Sequence, residues 1–543
     1  MASAVAAQPS EFGPDERRPE VAPPESAPEP LFELPPLERA EPSTGAPGSG
    51  FLLEVREWVF EGHTVFDAAE LEEVVAPFTG RSLTHEELLA ARDALTLHYV
   101  DAGYVTSGAL IPDQPVEGGR LRVRLVEGAL TDVEISGHRW FRASTLEGRI
   151  SRSARAPLHA PSLEREVRLL QRDSRIQRID ATLRPGERLG ESRLLVAVEE
   201  TSPYRASVET DNHMGPSLGE ARGRLVLRHE NVAGFGDSAF VLVGGFEAGP
   251  EVEAGYRIPF TRYGTTAEAR FRYTESDLVD SIGDRLQIEG RFYNIELGLR
   301  QPLYETPELG ISVGVAGELR DSRIDILNSQ LDRTRVTVLS FDQELIWSGG
   351  QQVLAARSEL RWGIPALNSS ERRSELPDSR FVAWLGQVQW ARRFDPFGVE
   401  LLLRGDLQVA AEPLPTLEQL SLGGHASVRG YRENRSVRDQ GLTGSAELRI
   451  PLWRESVGGR TLVQLAPFFD VGRGWNRSAP GPSKALSREE DSITLYSAGV
   501  GLRVQPWRFV LGELYWGRPL ANNRGPGGIQ GDGLHFRVRI QLL

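Results

Sequence analysis

The chain has 543 residues, with 62 Lys and Arg against 76 Asp and Glu, a formal charge of −14 and no cysteine. That balance excludes a nucleic-acid binder held by phosphate neutralisation, and the lack of cysteine excludes a disulfide framework or a thiolate metal site. No run approaches the roughly 18 apolar residues that a membrane-spanning helix needs. A transmembrane β-barrel escapes that test, because its lipid-facing and lumen-facing residues alternate.

Residues 1–50 hold eleven of the 35 prolines and almost no apolar periodicity. Such a segment cannot bury enough surface to offset its ordering entropy, so a disordered tail, partly polyproline II, is expected, with a docking motif as the alternative. Met1 to Gln8 resemble the small residues near a signal cleavage site, without the charged and apolar regions that precede one, which reads as a truncated or misassigned start, with an ordinary disordered N-terminus as the alternative.

Residues 51–128 read as a first small α/β module. Phe51 to Phe60 is expected as a strand, then helices opened by Asp67 with Glu70 and by Thr84 with Glu87. The second helix sets Leu88, Ala91, Leu95 and Tyr99 on one face and stops at Gly103. Strands at Val105 to Pro112 and Arg120 to Glu127 complete a β-α-α-β-β order. Residues 129–202 repeat it: a strand at Val133 to Ser136, a short helix after Ala143, a helix capped at Ser162, and strands near Ile179 to Leu183 and Arg193 to Glu199. Neither module clusters catalytic residue types. Their expected chemistry is binding, by addition of an extended peptide to an exposed strand edge.

Residues 203–543 show no long helix, only alternating segments of about ten residues. Strand 399–409 sets Val399, Leu401, Leu403, Leu407 and Val409 against Glu400, Leu402, Arg404, Asp406 and Gln408. Strand 442–450 sets Leu442, Ala446 and Ile450 against Thr443, Ser445, Glu447 and Arg449, and the last strand sets Leu534, Phe536 and Val538 against His535, Arg537 and Arg539. About sixteen such strands close into a barrel too wide for side chains to fill, so the charged face must look into water. Trp362, Trp384, Trp390, Trp453, Trp507, Tyr515 and Trp516 recur near segment ends, as interfacial girdles do.

The nine histidines have no ligand spacing, and no metal or cofactor is expected. Gly236-Asp237-Ser238 has the start of an esterase nucleophile motif, but no strand-to-helix elbow follows and a turn is expected. The run Gly525 to Gly533 precedes a strand, not a helix, and reads as a hairpin loop. One constellation stands apart. Ser427-Val428-Arg429-Gly430-Tyr431 lies in a polar loop at about 413–440, and Phe468-Phe469-Asp470-Val471-Gly472 ends a later strand. Parity places Asp470 opposite Phe469 and Val471, on the inner wall. An ion pair between Arg429 and Asp470 would tie the loop inside the barrel.

Those motifs resemble the two-partner secretion transporters, the TpsB or haemolysin secretion/activation proteins, of the superfamily that includes BamA. Asn231 with Gly234, Gly236 and Asp237, Gly103-Tyr104, and Leu183-Arg184-Pro185-Gly186 resemble further family patterns, and the likeness covers residues 51–543. The resemblance implies an all-β transmembrane barrel of about 16 antiparallel strands in the cell outer membrane, preceded by two α/β POTRA domains in the periplasm. It implies capture of an unfolded TpsA-type exoprotein by the POTRA domains and passage through the barrel without nucleotide. The lipid bilayer and the barrel assembly machinery are further implied partners.

By the same likeness Arg429 anchors the lumenal loop, Asp470 receives it, Gly430 lets the backbone approach the wall and Tyr431 packs beside it. Two departures are a Pro-rich start where many relatives carry a plug helix, and Leu543 where an aromatic end is usual. The competing readings are an assembly factor that inserts barrels, a passive porin and, on the Gly-Asp-Ser triplet alone, an esterase.

Overall fold

The computed structural model describes residues 31–33, 52–278, 288–327, 329–367, 369, 379–455, 461–477, 492–521 and 528–543. The small-residue start at Met1 and the Pro-rich segment, Leu31–Glu33 apart, lie outside the described residues. Two compact units result, one over Ala27–Ser202 and one that includes Pro203–Leu543.

In the first unit, β1 (Leu31–Glu33) precedes a module of β2 (Leu53–Val55), β3 (Glu57–Glu61), α1 (Ala68–Val75), β4 (Arg81–Leu83), α2 (His85–Asp101), β5 (Gly108–Leu110) and β6 (Arg120–Val126). The strand expected from Phe51 to Phe60 divides at Arg56. Arg56 and Glu57 both donate their backbone N–H to the Gly119 carbonyl, and the chain changes partner there, β2 pairing with β4 and β3 with β6. Thr84 and Glu87 form a reciprocal capping box that satisfies two orphan N–H groups of α2. That helix buries Leu88, Ala91, Leu95 and Tyr99 against Val55, Trp58, Leu121 and Val123.

The second module runs β7 (Ala129–Ser136), α3 (Ala143–Ile150), α4 (Ala160–Gln171), β8 (Ile176–Pro185) and β9 (Glu191–Glu200). Helix α4 starts earlier than the expected cap at Ser162. His159 takes the cap position, and Pro161 fits the first turn because its missing N–H is one of the orphans there. The sheet order is β1-β8-β9-β7, with Leu31, Phe32 and Glu33 parallel to Asp180, Ala181 and Thr182.

In the second unit, sixteen strands close a barrel. The first eleven are β10 (Tyr204–Asp211), β11 (Arg222–His229), β12 (Ser238–Phe246), β13 (Gly249–Pro259), β14 (Thr266–Asp277), β15 (Ile288–Glu305), β16 (Leu309–Ile326), β17 (Ser329–Gly349), β18 (Gln352–Ile364), β19 (Phe381–Phe394) and β20 (Val399–Ala410). A ribbon of β21 (Leu420–Leu422) and β22 (Ser436–Arg438) follows, a separate sheet that is not part of the barrel wall. The wall resumes with β23 (Gln440–Arg454), β24 (Thr461–Trp475), β25 (Ser492–Trp507), β26 (Val510–Pro519) and β27 (Leu534–Gln541), and β27 pairs back onto β10.

The apolar face is the outer one. On β20, Leu403, Leu407 and Val409 are exposed while Leu402, Asp406 and Gln408 are buried. Inside, arginines and carboxylates on neighbouring strands pair, as Arg272 with Glu253 at 2.5 Å and Arg537 with Glu513 at 2.6 Å do. Trp362, Trp384, Trp453, Trp507 and Trp516 are exposed on the outside, but Tyr515 is not a girdle residue. Its parity on β26 is that of Glu513, so its ring turns into the lumen.

Face assignment has a direct test in the folding stability of the barrel in bilayers. Leu403→Arg, on the outer face, is expected to cost about 2–4 kcal/mol, and Arg404→Lys, on the inner face, less than about 1 kcal/mol.

Candidate functional site: a loop fastened inside the barrel

The connection between β20 and β23, residues 411–439, turns into the lumen. Two apolar contacts hold it there. Leu414 and Leu417 join Phe292, Val336, Val338 and Phe381 of the wall, and Leu420, Leu422, Val428 and Tyr431 join Leu495 of β25. The ribbon of β21 and β22 braces the loop, and the Glu433 carboxylate accepts the backbone N–H of His425 at 2.6 Å.

Arg429 sits at the tip, 4% exposed. Its Nε and Nη2 donate to the two oxygens of Asp470 at 2.8 and 2.9 Å, and its backbone N–H donates to the same carboxylate at 3.0 Å. This is the two-pronged geometry that only a planar guanidinium supplies. Nη1 donates to Glu447 and Nη2 also to the Ser445 hydroxyl at 3.0 Å. The guanidinium carbon lies 3.8 Å from the Phe468 ring centre and 4.9 Å from that of Tyr515, so the cation is sandwiched against aromatic faces. Its carboxylate partners hold the guanidinium pKa above its ordinary value, against the cost of burial.

The flanking motif residues divide by face. Phe468 and Asp470 point inward, while Phe469 is exposed outside and takes no part. A side chain at Gly472 would meet Val428 at 2.8 Å, so its absence makes the seat for that valine. Gly430 has φ +88°, and a Cβ there would meet the Gly517 backbone at 2.7 Å. Its N–H donates to His535 Nε2 at 3.2 Å. Tyr431 is buried, with its hydroxyl donating to the Tyr496 carbonyl at 3.3 Å.

Glu447 and Tyr515 complete the Arg429 site; the alternation puts Glu447 on the charged face without a role, and Tyr515 is expected among the girdle residues instead. Glu447 lies on the charged parity of β23, where Ser445 faces Asp470 across the ladder, so its signal was present. Three histidines also meet here from distant parts of the chain. His213 and His425 stack with ring centres 4.0 Å apart, and His535 lies 6.3 to 6.4 Å from both. No group of three or more His, Asp or Glu among the described residues has metal-binding geometry. Asp237 and Ser238 lie at a hairpin turn, where the carboxylate accepts the N–H groups of Ala233 and Phe235 and the Tyr256 hydroxyl. Of the run Gly525 to Gly533, the part from 528 is described and leads into β27.

Residues 190–504 match the model of the haemolysin secretion/activation protein family ShlB/FhaC/HecB, and residues 53–128 match the ShlB-type POTRA domain. The chain belongs to this family. It is an outer-membrane transporter of two-partner secretion with its N-terminal domains in the periplasm. The outer membrane transporter CdiB of Escherichia coli is 27% identical over 408 residues, covering 72% of this chain and 68% of that one. The hemolysin transporter protein ShlB of Serratia marcescens is 23% identical over 482 residues, covering 84% and 83%. Among solved structures, CdiB from Escherichia coli overlays with a TM-score of 0.68 at 23% identity over 93% of each chain. BamA from Haemophilus ducreyi, lacking its POTRA domains 1–3, overlays at 0.53 and 14% over 90% of this chain and 99% of that one.

In this transporter the histidine group is expected to make loop seating depend on pH. Burial pushes the His213 pKa down to about 4, with Asp211 and Glu513 opposing and Arg537 and Arg222 assisting. Burial, then the neighbouring His213, Arg537, His535 and Arg429, hold His425 well below its ordinary 6.5. Glu433 stands 3.8 Å from His535 on the loop side. A withdrawn loop exposes these rings to water, where they bind more protons than the seated loop between about pH 6.5 and 4. Seating is expected to be complete above about 6.5 and to weaken as the pH falls, by up to about 1.4 kcal/mol per unit for each of His213 and His425. Single-channel conductance in planar bilayers is expected to rise between pH 7.5 and 5, and His425→Gln to flatten that rise.

Proposed function

We propose that this transporter receives an unfolded TpsA-type exoprotein as an added strand on the β8 edge of the second module and passes it outward along the loop fastened by Arg429. The observation that carries the first half is β1. An extended segment of the chain itself pairs with Asp180–Thr182 through the main chain, so this edge accepts a peptide. Main-chain pairing is blind to most of the sequence, which suits a client with no fold. The second module is read as a second POTRA domain on its β-α-α-β-β order, and β1 and cargo cannot hold one edge at once.

The second half rests on the loop. It occupies the lumen and is tied to β23 and β24, so a polypeptide in transit must pass beside it or displace it. Cutting a buried ion pair of this kind costs about 3–5 kcal/mol, because a charge is left without a partner. The Val428-Arg429-Gly430-Tyr431 tip and the inward residues Phe468, Asp470 and Gly472 are assigned to holding the loop in its working position. No catalysis is assigned, since the Asp237 carboxylate is engaged in its own turn. Insertion of the barrel falls to the outer-membrane assembly machinery.

Secretion of a co-expressed exoprotein into the medium tests both halves. Wild type is expected to export it, Arg429→Ala to lose most export while its barrel still migrates as heat-modifiable, and proline at Ala181 to weaken cargo retention by the periplasmic unit. Export by Arg429→Ala at the wild-type level would sink the loop assignment. No export by either, with other barrels failing to assemble on depletion, would favour the assembly-factor reading.

A further inference from the structure

The loop carries a second buried charge that the Arg429 site does not use. Thr416–Glu418 forms a short helical turn in the loop's stem, and Glu418 is 8% exposed. Its Oε1 accepts Arg320 Nη1 of β16 at 3.1 Å, and its Oε2 accepts Arg361 Nε of β18 at 2.9 Å. The Leu417 carbonyl accepts the same Arg320 Nη1 at 3.0 Å. On the wall, Arg320 also meets Glu318 at 2.8 Å, Arg361 meets Glu318 at 3.2 Å and Glu359 at 2.7 Å, and Arg357 meets Glu359 at 3.2 Å.

Arg320 and Arg361 thus share Glu318, Glu359 and Glu418 between them, and the network runs on through Arg357 to Asp342 at 3.4 Å and from Asp342 to Arg300 at 2.9 Å. Glu418 comes from the loop. When the stem withdraws, Arg320 and Arg361 each lose a buried carboxylate acceptor, and the stem then has a carboxylate without its two arginines. The signs are reversed at the tip, where the loop brings the cation and the wall the carboxylates. In barrel order, β19 and β20 separate the β18 wall from the β23 wall. The loop is therefore fastened at two places on different walls, eleven residues apart, and neither fastening can stand in for the other.

We propose that Glu418 is a positioning residue for secretion: it pins the loop stem to β16 and β18, and with Arg429 it sets how far the loop blocks the lumen. The inference rests on the transporter reading above and deepens it. Breaking the stem fastening alone would leave the tip seated on Asp470 while the stem swings from its wall, a partly opened lumen.

The chain has no cysteine, so a single Thr416→Cys reports on the stem without background. The experiment measures its maleimide labelling rate in the assembled full-length protein, together with single-channel conductance and cargo export, in wild-type, Glu418→Gln and Glu418→Asp backgrounds. Glu418→Gln is expected to raise labelling by roughly tenfold, since part of the pair's energy is lost, and to raise conductance. Glu418→Asp, which keeps the charge, is expected to restore most of the protection. A structural role alone would not divide the two variants by charge. If Glu418→Gln fails to migrate as a heat-modifiable barrel, Arg320→Gln takes its place with the same expected readings. Labelling and conductance equal to wild type in the assembled variant would overturn the proposal. Loss of the transporter reading is seen separately, as wild type that exports no cargo while labelling still responds to Glu418→Gln.

Discussion

A charged loop stays inside a wide barrel only where the wall supplies the opposite charge at fixed distance. The Arg429 fork on Asp470 meets that condition with three hydrogen bonds to one carboxylate, two from the guanidinium and one from the backbone. The rest of the site follows from it. Glu447 is placed by the register of β23 against β24, Phe468 by its alternation with Phe469, and Tyr515 by the turn of β26 toward the lumen. Each of these shields the guanidinium from water, which is what raises the pair above the weak value of a screened surface ion pair.

The barrel was legible because its chemistry is inverted. Alternation in β20 and β23 told two faces apart, and strand number decided which was wet, since sixteen strands enclose more space than side chains fill. Asp470 was legible for the same reason, as a carboxylate on the wrong parity for lipid. The helices of the first unit were legible where capping was local, as at Thr84 with Glu87. They were misplaced where it was not, as at α4, whose start is set by Pro161 and His159.

What could not be read depended on contacts across long stretches of chain. His213, His425 and His535 span 322 residues and carry no spacing signal. Glu418 looks like any loop glutamate until Arg320 and Arg361 are brought to it by the ladder of β16 through β18. Tyr515 was misassigned because an aromatic near a strand end is compatible with either face, and only its register with Glu513 decides. The division of the first strand at Arg56 likewise depends on the Gly119 carbonyl, which arrives from more than sixty residues away.

The cross-strand pairs that line the lumen bear on any chain that moves through it. Arg224 with Glu209, Arg300 with Asp342, Arg393 with Glu400 and Arg539 with Glu209 lie within 3.1 Å or less of one another. Each positive field is quenched by a neighbour at far less than the Debye length of about 10 Å. Beside these pairs a polypeptide of either sign meets a locally balanced surface with polar groups for its backbone. Along those strands the wall favours neither a basic nor an acidic segment, a property of pairing at close range and not of the chain's net charge.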